Sequence, residues 1–272
     1  MKKNKSLLLS APYVLWMLLF TLIPLGVVAV YALTDPATQE FSLVNIKNLG
    51  MFLPAIGTSV WYALISSLIC LLLGYPVAYF IAHCKPAAQK ILYMLVMLPM
   101  CMSFLLRTLA WVGLLETTGI VNRILGAVGI GPVTLIGTSG AVILGMVYNY
   151  LPYMILPLYA IIVKIDPRLI EAAEDLGCNS RDVFARVILP LSMPGILSGI
   201  TMVFVPAVST FYISQKLGGT DTMLIGDVIE RQFKSAQNPN LGAALSLVLM
   251  ILVFVCTGIM NRFGGDEEGV VV

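Results

Sequence analysis

Charge is what this chain has least of. Asp, Glu, Lys and Arg make up only 11% of its 272 residues, while hydrophobic residues make up 59%. A water-soluble domain carries roughly 25% charged residues. Too few polar groups remain here to cover an aqueous surface, so the composition points to a membrane protein. Histidine is scarcer still: His83 stands alone, which argues against a His-based metal site within the chain. The five cysteines (Cys70, Cys84, Cys101, Cys178, Cys256) form no CxxC pair and read as small hydrophobes. No GxxxxGK[ST] phosphate loop occurs, so the chain is not expected to hydrolyse ATP or to hold a nucleotide or metal cofactor itself. A net charge of +2 is too small for a nucleic-acid footprint. Internal repeats, low-complexity tracts and polar linkers are also missing, which leaves residues 1–272 as a single domain.

What is present is long apolar runs. A spanning helix needs about 20 mostly apolar residues, because unsatisfied backbone groups are costly in lipid. Reading between charged residues predicts six spans: Leu7–Leu33, Ala55–Ile81, Ile91–Leu115, Thr134–Val163, Val187–Ile213 and Leu241–Asn261. The fold class is therefore all-α, a polytopic membrane protein. The first run exceeds the roughly 7–15 apolar residues of a signal peptide and reads as a retained helix.

Placing the N-terminus inside puts Lys2, Lys3, Lys5, Lys85, Lys90, Lys164, Arg168, Arg181, Arg186 and Arg262 on the cytoplasmic side. Lys47, Arg123, Lys216, Arg231 and Lys234 fall outside. This bias predicts both termini in the cytoplasm. Two connections are then long: a cytoplasmic loop of about 164–186 and an outside loop of about 214–240. The acidic tail with Asp266, Glu267 and Glu268 reads as a solvated end.

The cytoplasmic loop reads as a short helix followed by a second. Asp166 suits an N-cap, Pro167 the first helical position and Gly177 a left-handed end. Leu169, Ile170, Ala172, Ala173 and Leu176 form an apolar face at helical spacing. Asn179 or Ser180 can cap the second helix. So short a helix is marginal in water and needs a surface to dock on, either the chain's own cytoplasmic face or a partner.

The string Glu171-Ala172-Ala173-x3-Gly177-x9-Val187-x-Leu189-Pro190 resembles the EAA motif of ATP-binding-cassette (ABC) importer permeases. The spacing matches throughout, and Val187 stands where isoleucine is usual. Three further stretches are similar to the B-type permeases of spermidine/putrescine importers. They are Leu73 to Phe80, Leu151 to Tyr159, and Phe211-Tyr212-Ile213-Ser214 running through to Ile229. The resemblance implies a permease subunit that imports a small solute, a polyamine such as spermidine or putrescine, across the bacterial inner membrane. It implies that Glu171, Ala172, Ala173, Asp175, Gly177 and Arg181 couple the chain to an ATPase dimer, which binds the ATP and Mg. The other implied partners are a second homologous permease, an extracytoplasmic solute-binding protein and membrane lipid. The alternatives are an ABC permease for a different small solute and a stand-alone secondary transporter, though the latter should show internal repeats and intramembrane carboxylates. For a membrane enzyme the sequence offers no nucleophile–base or metal cluster.

Within the spans, Arg107 is the one formal charge; it reads either as snorkelling or as paired with Glu116. Span four is rich in tyrosine and proline, fitting either helix packing with an interfacial belt or a cation path. Gly195 and Gly199 form GxxxG, which lets helices approach closely. For a polycation, carboxylates at the outer mouth and aromatics deeper in would favour passage. Glu116, Asp221, Asp227 and Glu230 are the outside acids. Trp111, Tyr148 and Tyr150 are the aromatics in or near the spans.

Overall fold

The computed structural model describes residues 12–35, 40–129, 131–219, 222–236 and 238–264. Lys2, Lys3, Lys5, Asp221 and the acidic tail lie outside them. The described residues are helical apart from turns and one isolated bridge, Thr34 to Phe41. Five helices are long and apolar enough to cross a membrane, and a bent pair makes a sixth span, in agreement with the six predicted runs.

The chain divides into two compact units, residues 1–54 with 228–252 and residues 55–227 with 253–272. In the first, α1 (Pro12–Ala32) meets α12 (Pro239–Gly264), where Ala32 is buried with Ala243 and Ala244. The end of α1 is gripped by amides: Asn45 Nδ2 donates to the Ala32 and Thr34 carbonyls, and Asn240 Nδ2 donates to Thr34 at 2.7 Å. Elsewhere α1 is largely exposed, as a lipid-facing helix should be.

The second unit is built on α2 (Leu53–Ala82) and α6 (Ser139–Ile162). Tyr62, Ser66, Cys70, Gly74 and Ala78 recur every four residues along α2 and are all buried. Four of them meet α6. Tyr62 donates to Ser139 Oγ at 2.7 Å, Ser66 to Met146 Sδ and Cys70 to the Val147 carbonyl. A Cβ on Gly74 would lie 3.0 Å from Met154. Small and hydroxyl side chains at such a seam let backbones close in where no hydrophobic force pulls helices together. The GxxxG pair does the same for α9 (Met193–Ser209). A Cβ on Gly195 would lie 3.1 Å from the Pro157 carbonyl, and one on Gly199 3.3 Å from that of Met154.

Two predicted spans are interrupted. The third is not one helix over Ile91–Leu115. It comprises α3 (Pro86–Met97), a 3-10 turn at Leu98–Cys101, and α4 (Phe104–Leu115). Pro99, inside the turn, withholds a backbone donor and disfavours helix in the residue before it. The stretch long and apolar enough to cross a membrane here runs from α4 on to Ala127, while Pro86–Cys101 is a shorter apolar helix. After α4 comes the short helix α5 (Ile120–Ala127).

The fifth span departs from a single Val187–Ile213 helix. Its first part, α8 (Ser180–Leu191), contains a π turn at Phe184–Ile188 and meets α9 at a 61° bend on Ser192. Pro190 and Pro194 flank the bend and each removes a helical hydrogen bond. The Oγ of buried Ser192 donates to the Leu189 carbonyl and therefore accepts from the Tyr75 hydroxyl at 2.9 Å. The helix then stops at Ser209; Thr210 and Phe211 are non-helical, and α10 (Tyr212–Leu217) resumes.

Candidate functional site

The loop of about 164–186 follows its sequence signals closely. In α7 (Pro167–Asp175) Asp166 accepts from the Arg168 amide at 3.0 Å, and Pro167 takes the first position. Gly177 ends the helix at φ +86°, with its amide bonded to the Glu174 carbonyl and that of Cys178 to Ala173. These crossed bonds satisfy the orphan carbonyls of the last turn. Asn179 then caps α8, accepting from Arg181 and Asp182. The predicted apolar face divides in two. Ala173 is buried with Val183 and Ile188, and Ile170 packs against them. Leu169, Ala172 and Leu176 stay outward, Leu176 at 86% exposure. Glu171, Asp175 and Arg181 are exposed as well.

The tyrosine-rich part of α6 faces α4. Trp111 and Tyr148 meet edge to face with centroids 5.2 Å apart, a favourable geometry for ring quadrupoles. Tyr148 is partly exposed while Tyr150 is buried, its hydroxyl donating to the Pro206 carbonyl at 3.3 Å. Phe104 on α4 meets Tyr212 on α10 at 6.2 Å. The structure thus brings Trp111 and Tyr148 together between α4 and α6, while Tyr150 turns to the Pro206 carbonyl of α9, near the break in span five.

The acids are placed differently. Glu116 is exposed at the end of α4. It does not pair with Arg107: the ion pairs among the described residues are Arg186–Asp182 and Lys234–Glu230. Nor does Arg107 snorkel, being only 6% exposed. Asp227 is 8% exposed, and its Oδ2 accepts from the Leu224 amide at 2.8 Å. It caps α11 (Ile225–Lys234) rather than lining an open mouth.

Residues 70–264 match the family of binding-protein-dependent transport system inner membrane components. The chain belongs to that family. It is 41% identical over 247 residues to the spermidine/putrescine transport system permease protein PotB of Haemophilus influenzae, covering 88% of this chain and 86% of that one. To the PotB of Escherichia coli K12 it is 38% identical, covering 88% and 90%. Among solved structures it is similar to a bacterial ABC transporter involved in import of the acidic polysaccharide alginate. That match has a TM-score of 0.81 at 20% identity and covers 98% of this chain and 97% of the other.

This inner membrane component is a transport subunit rather than an enzyme, as the missing phosphate loop suggested. Sequence reasoning missed three polar anchors in it. Ser59 accepts from the Ile225 amide at 2.8 Å and fixes the start of α11. Gly226 runs so close to the Thr210 carbonyl that a Cβ would sit 2.5 Å from it. Asn122 exchanges bonds with the Glu116 and Val133 backbones. A lone Ser, Gly or Asn carries no periodic signal, so only the fold reveals these partners.

Proposed function

We propose that this chain is one of two permease subunits of an ATP-driven importer of polyamines, spermidine or putrescine. Identity of 38–41% to two spermidine/putrescine permeases across 88% of the chain carries the reading. In it, residues 1–272 work as one transmembrane domain with both termini in the cytoplasm, and the charge bias of the loops supports that orientation. The loop of about 164–186 docks on an ATPase dimer. The outward stripe of Leu169, Ala172 and Leu176 gives it an apolar surface to bury, Gly177 sets its turn, and Glu171, Asp175 and Arg181 flank it. The dimer binds the ATP and Mg; this chain holds no cofactor. The outside loop of about 214–240 meets the solute-binding protein.

In this reading the seam of Trp111 and Tyr148, with Tyr150 on the α9 side of α6, borders the solute path. Aromatic faces offset part of the dehydration of an ammonium group, about 0.5–2 kcal/mol per contact. Exposed Glu116 raises the local concentration of a polycation, while Asp227 shapes the mouth by holding the first turn of α11. The deciding experiment is uptake of labelled spermidine by cells carrying the complete transporter, with unlabelled putrescine, amino acids and oligosaccharides as competitors. Competition by polyamines alone is the expected result. Equal competition by an uncharged or anionic solute overturns the substrate assignment.

A further inference from the structure

Arg107 lies one helical turn from Trp111 on the same face of α4, next to buried Thr108. Across from α4, the Tyr150 hydroxyl on α6 donates to the Pro206 carbonyl, one turn before the break in span five. The guanidinium is buried, and neither Nε nor Nη1 finds a hydrogen-bond partner among the described residues. Neither ion pair found there involves it. Arginine keeps its proton under all ordinary conditions. Among the described residues a buried positive charge without an ion pair therefore stands inside the transmembrane region, beside the aromatic seam. Charges there are expensive and tend to mark permeation pathways.

For a cation importer this charge has the wrong sign for binding and the right sign for a barrier. A charge need not touch the solute to act, because low-dielectric surroundings transmit its field. At an effective dielectric of about 20 and a separation of about 8 Å, one added unit charge is disfavoured roughly thirtyfold. Arginine and helix dipoles exclude cations from other narrow pores by this means. We infer that Arg107 is the electrostatic seal of the resting transporter, the fixed charge that keeps small inorganic cations from leaking along the α4–α6 seam.

The inference rests on that seam bordering the path. The seal has to yield during transport, and the neighbouring break provides for it. Two non-helical residues, Thr210 and Phe211, join α9 to α10. Tyr212 of α10 rests on Phe104 of α4, and in this reading that contact is where α10 moves when the seal opens.

The test uses the complete transporter in liposomes without ATP, binding protein or polyamine, and follows rubidium ion and uncharged erythritol. Arg107→Met should raise rubidium flux tenfold or more while erythritol flux stays at the parent level. Arg107→Lys, which keeps the charge, should remain tight. Replacing a buried charge by an apolar side chain of similar volume is often neutral or stabilising, so the Met variant should assemble; Arg107→Gln repeats the test with a polar neutral group. Unchanged rubidium flux in both neutral variants overturns the seal. So does erythritol flux that rises in step with rubidium, which would report a general loosening of packing. Because no polyamine enters the assay, a wrong substrate assignment leaves its outcome intact. The uptake competition described above fails or succeeds independently of Arg107.

Discussion

The loop between α6 and α8 is held by main-chain chemistry, whereas the α4–α6 seam is held by side chains. In the loop, Asp166, Gly177 and Asn179 each satisfy backbone groups at a helix end. The outward side chains Leu169, Ala172 and Leu176 take no part in holding it. The seam has no such division. Trp111 and Tyr148 rest on each other, and Tyr150 reaches the Pro206 carbonyl. A surface meant to dock on another protein can be shaped by caps and left free to vary. A path through the membrane must build its shape from the groups that also meet the solute.

The sharpest way to break this comparison is Leu176→Asp. Burying a leucine at an interface contributes about 1.5–3 kcal/mol, and an aspartate there adds a charge to desolvate. Co-purification of the ATPase should fall at least tenfold, with the permease still inserted in the membrane. Retained co-purification would show that the outward stripe is not the docking surface. Gly177→Val follows. A Cβ meets nothing within 4 Å there, so only the backbone conformation resists. A left-handed residue costs roughly 1–2 kcal/mol, more when β-branched. Uptake should drop about tenfold, and Gly177→Asn, which tolerates φ above zero, should recover most of it.

On the seam, Trp111→Ala should raise the uptake KM for spermidine between about twofold and thirtyfold, the range of one cation–π contact. Association with the ATPase should stay unchanged. A fall in ATPase co-purification would mean the seam and the loop are not separable. Asp227→Ala removes a cap, at about 1 kcal/mol. Thermal unfolding of the detergent-solubilised chain should shift down by a few degrees, with uptake reduced only in proportion to the folded fraction. Glu116→Gln should have the smallest effect. A few-fold loss of uptake at low ionic strength should vanish at high salt, because exposed charges are screened beyond about 10 Å at 0.1 M.

The two regions also differed in how readable they were. The loop was legible because capping residues sit at fixed offsets: Pro167 follows Asp166, and Gly177 closes the helix where expected. Its apolar face was misjudged as single because a nine-residue helix can present Ile170 and Ala173 inward while Leu169 and Leu176 point away, and one sequence cannot say which row finds a neighbour. The spans were legible as apolar runs, and Gly195 and Gly199 as a close-packing pair. Their interruptions were not. Hydropathy stays high through both breaks; Pro99 was a local signal at Leu98–Cys101, but nothing comparable marks Thr210–Phe211. The position of Arg107 was plain from sequence, but that neither ion pair among the described residues involves it depends on where the acids end up in the fold.

The small ring closed by Asn122 has a practical side. Its amide ties the backbone at Glu116 to that at Val133 with bonds of 2.8–3.0 Å, so the base of this connection is sealed independently of its tip. Gly129, at φ +84° with open space around it, lies inside the ring. A labelling cysteine at the neighbouring Val128, exposed and at an ordinary φ of −89°, would sit on that tip without disturbing the staple. That site offers a handle for determining, in intact cells, which side of the membrane this connection occupies.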